Sequence, residues 1–87
     1  MLEIIQQFAK HNKCIAAICH GAQLLTAAGI IKGRKISAYP ACQPEVELAG
    51  AFYANIKVEE AITDGNIVSA PAWPALPEFI KQFNELL

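Results

Sequence analysis

The apolar positions along the chain switch between two periods. Leu2, Ile5, Phe8 and Ala9 form one helical stripe over residues 2–11, with Gln6, Gln7 and Lys10 opposite. His11-Asn12-Lys13 ends that pattern. Cys14-Ile15-Ala16-Ala17-Ile18 follows, short and apolar throughout between polar flanks. Such a run suits a parallel strand buried on both faces, although periodicity by itself leaves a helix open there. Helical spacing returns over residues 21–28, with Leu24, Leu25 and Ala28 inward and Gly29 as the stop. Arg34 to Tyr39 reads as a short strand. Pro44 suits the first turn of a helix running to about Ala49, where Glu45 and Glu47 favour the helix dipole. Residues 56–63 and 66–70 read as a hairpin around Asp64-Gly65, with positive φ expected at both turn positions. Pro71, Pro74 and Pro77 stiffen a loop, and a last helix sets Phe79, Ile80, Phe83, Leu86 and Leu87 on one face.

Helix, strand, helix, strand, helix, hairpin, helix is an order that argues for a mostly parallel sheet covered by helices, an α/β fold. One tension stands out. A strand as apolar as Cys14–Ile18 wants neighbours on both edges, and few strands are on offer. Composition sharpens it: at 87 residues and 54% apolar, the chain is one small domain with more apolar surface than so short a chain readily buries. A partner surface would take up the excess. The net charge of −1 gives no pull toward nucleic acid or an anionic membrane, and neither is expected as a partner. Lys32, Arg34 and Lys35 read as a solvated turn. No apolar run reaches the ~18 residues of a membrane span. Met1-Leu2-Glu3 shows no basic leader or cleavage pattern. Three cysteines at irregular spacing do not make a disulfide framework, so a reduced, cytoplasmic setting is the expectation.

The chemistry concentrates in Ala17-Ile18-Cys19-His20-Gly21. A strand runs straight into a helix, and Cys19 sits at the break, as a nucleophile sits on a strained elbow turn. An elbow crowds the residues two before and two after the nucleophile, and here these are small, Ala17 and Gly21. Free N–H groups and the dipole at the start of the next helix favour an anion, and the thiolate is the nucleophilic form. The same N–H groups, around His20 and Gly21, could hold an oxyanion. His20 adds a base or an orienting group. Two readings of Cys19 stand side by side: a reactive thiol on an elbow, or an inert cysteine closing a core strand. Cys14 reads as core packing, and Cys42 as an incidental loop cysteine or a resolving thiol. His11, Cys14, Cys19 and His20 have no zinc spacing, and no metal is expected. Trp73 either walls a pocket or an interface, or covers the core.

Ile15-Ala16-Ala17-Ile18-Cys19-His20-Gly21, followed by Gln23-Leu24-Leu25, closely resembles the cysteine motif of the ThiJ/PfpI superfamily. Further matches in order are Lys32-Gly33-Arg34-Lys35-Ile36, Tyr39-Pro40, Ala49-Gly50-Ala51, Asp64-Gly65-Asn66-Ile67-Val68-Ser69 and Leu76-Pro77-Glu78-Phe79. The resemblance implies a flavodoxin-like three-layer sandwich of about twice this length, of which residues 1–87 are the C-terminal part. It implies Cys19 as nucleophile, His20 as its neighbouring histidine, and a pocket lined by Tyr39 and Pro40. The family's acidic partner of the cysteine and its glycine-rich loop belong to strands without a counterpart here. Glu45, Glu47, Glu59 and Glu60 read as solvated instead. The implied activity is that of an intracellular protease or amidase needing no cofactor, acting on a peptide or small molecule. Cofactor-independent glyoxalase chemistry on small dicarbonyls, an oxidative-stress sensor using Cys19, and an inactive remnant stay open beside it. Homo-oligomers, or association with a missing N-terminal half, are the expected partners.

Overall fold

Local sequence sets the ends of the elements before any packing does. The computed structural model describes residues 1–87. Helix α1 (Leu2–Lys10) stops at His11 because Asn12 enters the left-handed region at φ +55°. The Asn12 N–H then reaches Ala9 C=O, and the Lys13 N–H reaches Phe8 C=O at 2.8 Å. This is the Schellman closure, with asparagine in the place where glycine is commoner. Helix α2 (Ala22–Ala28) ends in the same way on Gly29, at φ +74°. The remaining elements are β1 (Ile15–Ile18), β2 (Lys35–Ile36), α3 (Gln43–Leu48), β3 (Phe52–Tyr53), β4 (Ile62–Asp64), β5 (Ile67–Ala70) and α4 (Leu76–Leu86).

Two small sheets result. In the first, the order is β1-β5-β4, with β1 and β5 parallel (Ile15 opposite Ile67, Ile18 opposite Ala70) and β4 antiparallel to β5. In the second, β2 and β3 are parallel. Several elements depart from the pattern expected of the sequence. The strand expected over Arg34–Tyr39 pairs only at Lys35 and Ile36, since the next N–H, of Ser37, is taken by Ser69 Oγ at 2.8 Å. That bond docks the second sheet on β5. The long strand expected from Ile56 shrinks to Ile62–Asp64, because Glu60 folds back to accept the Lys57 N–H at 2.8 Å and makes a turn. The hairpin loop is Gly65-Asn66, one residue later than expected, since Asp64 still pairs with Ile67. Only Gly65 there has positive φ, the pattern of a turn with glycine first. Arg34 Nη1 donates to Asp64 C=O and the Lys35 N–H to Asp64 Oδ2, so part of the basic cluster pins the hairpin.

The alternation of β5 divides the core. Ile67 faces one cluster with Ala17, Ala22, Leu25, Ile31, Ile36 and Val46, under α2 and α3. Val68 and Ala70 face the other, with Ala75 and Phe79 of α4. Helices on both faces of a mostly parallel sheet are the layers of an α/β sandwich. Coverage is uneven. β5 is buried along its whole length, while β1, paired on one side only, leaves Ala16 exposed. The stripe of α1 contains no buried residue, and Ile80 and Leu87, expected inward on α4, are exposed. No helix is long and apolar enough to cross a membrane.

Candidate active site

Strands β1, β2 and β5 all hand over to helices through a single 3₁₀ turn: Cys19–Gly21 before α2, Pro40–Cys42 before α3, and Trp73–Ala75 before α4. The carboxyl ends of parallel strands are where open α/β sheets build their sites. Cys19 stands directly after β1 with φ +59°, in the left-handed region. For a residue with a Cβ that conformation costs about 1–2 kcal/mol, and it turns the side chain out of the strand direction. Cys19 is half-buried and bears a free thiol. The crowding around it is mild: a Cβ built on Gly21 would lie 3.5 Å from Ala17 Cβ, an ordinary contact. Neither the 3₁₀ turn nor α2 has a side chain capping its first N–H groups.

His20 is exposed, and its ring meets two residues of the next turn. Its ring stacks on Tyr39, with centroids 5.0 Å apart and planes 26° apart. Its Nδ1 lies 3.5 Å from Cys42 Sγ. The backbone joins the same two turns, since the Tyr39 N–H donates to Cys19 C=O at 3.1 Å and the Cys42 N–H to Tyr39 C=O at 2.8 Å. Cys42 is therefore no incidental loop cysteine. It is buried, and burial first, then Glu45, then Cys19 push its thiol above the ordinary range. Glu45, one helical turn beyond Cys42, is exposed, and both its carboxylate oxygens accept from Gln23 Nε2, at 3.0 and 3.2 Å. Gln23 and Glu45 thus strap α2 to α3 beside the two cysteines. Part of the signal was present in the spacing: Cys42 and Glu45 are three apart, an offset of one helix face.

A cavity of about 520 Å³ opens on the far side of Tyr39 and Pro40. It is also lined by Gln43, Tyr53, Asn55 and Pro71, but by neither Cys19 nor His20. Tyr39 is the residue common to the cavity and the thiol cluster, 42% exposed between them. Tyr53, which sequence reasoning passed over, donates its hydroxyl to Ala38 C=O at 3.1 Å, and burial followed by Cys42 pushes it up. Trp73, with 78% of its surface exposed, covers neither the core nor the cavity. Cys14 lies apart, just before β1, with Sγ on Leu86 C=O at 3.3 Å. No three His, Cys, Asp or Glu side chains converge as a metal ion would need.

Comparison with known proteins agrees with this architecture. A sequence profile of the DJ-1/PfpI family matches residues 1–86, and the chain belongs to that family. It is 44% identical over its whole length to Protein DJ-1 homolog D of Arabidopsis thaliana, of which it covers 23%. It is 34% identical to Deglycase PfpI of Pyrococcus furiosus over 99% of its own length and 50% of that protein's. Two solved structures superpose on nearly the whole chain and show the fold. One is a ThiJ/PfpI family protein of Pseudomonas syringae, at TM-score 0.81, 24% identity, and coverage of 98% of this chain and 34% of that one. The other is DJ-1beta of Drosophila melanogaster, at TM-score 0.80, 23% identity, and coverage of 98% and 45%. The four helices and small mostly parallel sheet are thus the C-terminal part of a flavodoxin-like sandwich. The chain spans a quarter to a half of the length of the relatives named here.

Proposed function

We propose that this chain carries the nucleophile of a cysteine-dependent hydrolase acting on carbonyl compounds, of the deglycase and amidase type. The observation that carries the reading is Cys19 at φ +59°, a strained non-glycine residue at the carboxyl end of a parallel strand. Strain of this kind persists only when the surrounding structure over-determines it. Here the surroundings are β1, the start of α2 and the bond from Tyr39. The Cys19 thiolate adds to a substrate carbonyl carbon, forming a carbon–sulfur bond and an oxyanion. Main-chain N–H groups of His20 and Gly21, left without side-chain caps, favour that charge. An amide presents an acyl carbon, so its tetrahedral adduct collapses with loss of the amine. A methylglyoxal adduct reaches the same level once the proton on its carbinol carbon shifts to the neighbouring carbonyl carbon through an enediol. In both, water then releases the acyl group and restores the thiol. His20 moves protons in these steps. Several relatives are named deglycases, among them that of Pyrococcus furiosus, and this favours carbonyl adducts over peptide bonds as substrates.

The site takes its remaining groups from elsewhere. The free edge of β1 is where a further strand joins, from the part of the fold this chain does not contain or from a second copy. An acidic partner for Cys19 and a glycine-rich loop come with that strand. The test is turnover of a methylglyoxal adduct, and separately of an amide substrate, by the purified protein and its Cys19→Ala variant. Adduct turnover that Cys19→Ala abolishes supports the reading. Amide hydrolysis that the same change abolishes supports the amidase arm. Turnover unaffected by the change, or turnover of neither substrate, overturns the reading.

A further inference from the structure

The 3₁₀ turn Pro40–Cys42 holds a thiol that hydrolysis does not use. Cys42 is only 2% exposed, yet its Sγ lies 3.5 Å from an imidazole nitrogen, His20 Nδ1. The ring it meets is fixed by stacking on Tyr39, and the turn it occupies is tied to Cys19 through two successive backbone hydrogen bonds. No disulfide joins the cysteines. Burial keeps Cys42 away from an oxidant in solution and pushes its thiol up. A buried thiol with its own base, one turn away from a half-buried thiol, is placed to act second.

We infer that Cys42 is a resolving thiol, which condenses with peroxide-oxidised Cys19 to form a Cys19–Cys42 disulfide, His20 serving as the base. The inference rests on the reading of Cys19 as the nucleophile. In the first step the Cys19 sulfur attacks one oxygen of a hydroperoxide. The O–O bond breaks, the sulfur loses two electrons and becomes a sulfenic acid, and the other oxygen leaves as water or an alcohol. In the second step His20 Nδ1, unprotonated in the required tautomer, takes the Cys42 proton. The Cys42 sulfur attacks the Cys19 sulfur, the S–OH bond breaks, and hydroxide leaves with the proton held by His20, as water. One peroxide and two thiols thus give one disulfide and two molecules of water, or one of water and one of alcohol. The disulfide holds Cys19 at an oxidation level that thiols can reverse, short of the sulfinic acid that ordinary thiols do not.

The experiment is a stepwise titration of the purified protein with hydrogen peroxide. Each step is quenched in acid, and the peptides are then mapped by mass spectrometry without reduction. The expected product at one equivalent is the Cys19–Cys42 cross-linked peptide, lost on adding dithiothreitol, with Cys14 still reduced. In Cys42→Ser and Cys42→Ala, the same dose should carry Cys19 on to the sulfinic acid. Both variants are checked first by melting and by the alkylation rate of Cys19, and either one that keeps both suffices. His20→Asn should slow disulfide formation at least about tenfold relative to sulfenic acid formation measured in the same variant, the loss expected of a missing base. Sulfinic Cys19 beside a free Cys42 in the unaltered protein overturns the inference and leaves the nucleophile reading standing. A Cys19 that resists oxidation altogether overturns both.

Discussion

Two turns of this molecule are built alike and behave oppositely. Each leaves a parallel strand, makes one 3₁₀ turn and starts a helix, and each carries a cysteine. Cys19 opens its turn in the left-handed region, half-buried. Cys42 closes its turn in an ordinary helical conformation, behind Pro40, buried against His20. The difference lies in where the residue falls on the turn. Cys19 takes the first position of its turn, and of the three residues so placed, Cys19, Pro40 and Trp73, it alone has positive φ and bears the strain. The third position is already helical and points into the layer between helix and sheet. The same residue type thus becomes a strained, half-buried group in one turn and a buried one in the other.

The comparison can be broken most severely at Cys19. Cys19→Ala should reduce carbonyl turnover to the uncatalysed background and remove the first site of peroxide oxidation, which kinetics and peptide mapping would both register. Alkylation of the folded protein with iodoacetamide should label Cys19 well before Cys42, by about a hundredfold in rate, reflecting the difference in burial. Equal labelling would mean that the two turns are not distinct in solution. Cys42→Ala removes a buried sulfur and its contact with His20, and should cost about 1–2 kcal/mol. For a chain of this size that lowers the melting temperature by about 4–8 °C per kcal/mol.

Smaller effects sharpen the contrast. Cys42 and Tyr53 both have raised values in the fold, so each favours the folded state while neutral. Their contribution is complete below the ordinary thiol and phenol values and is lost as pH rises through the raised ones. Melting temperature should therefore fall on the alkaline side. Part of that fall should disappear in Cys42→Ala, which denaturation measured across pH would reveal. Cys19→Gly should move stability the other way, by about +1 kcal/mol, because glycine accepts φ +59° without the Cβ penalty. A gain in stability with total loss of activity would mark strain kept for function. If Cys19→Gly destabilised the protein, the turn would be held by side-chain contacts rather than under strain.

The elements that rest on neighbouring residues were readable in the pattern of the chain. α1, α2 and α4 followed from helical spacing, with His11-Asn12-Lys13 and Gly29 as stops, β1 from a short apolar run and β5 from the hairpin read around Asp64-Gly65. The break at Cys19 could be located for the same reason, since small residues on either side and a change of period are local signals. Ladder lengths were not readable. β2 ends where a serine from another strand takes its N–H, and β4 starts late because Glu60 closes a turn. β3, two residues long, has no period at all.

The site divides along the same line. By itself the sequence determined that Cys19 and His20 sit where a strand becomes a helix, because that depends on residues a few positions apart. Only the tertiary structure decided which way His20 faces. Its ring is set by Tyr39 and its Nδ1 meets Cys42, residues brought alongside by the docking of β2 on β5. The burial that separates Cys42 from Cys19 likewise comes from a core assembled across α2, α3 and both sheets. Conformation within a turn is a short-range property, whereas burial and partner choice are long-range ones, and a linear pattern carries only the first.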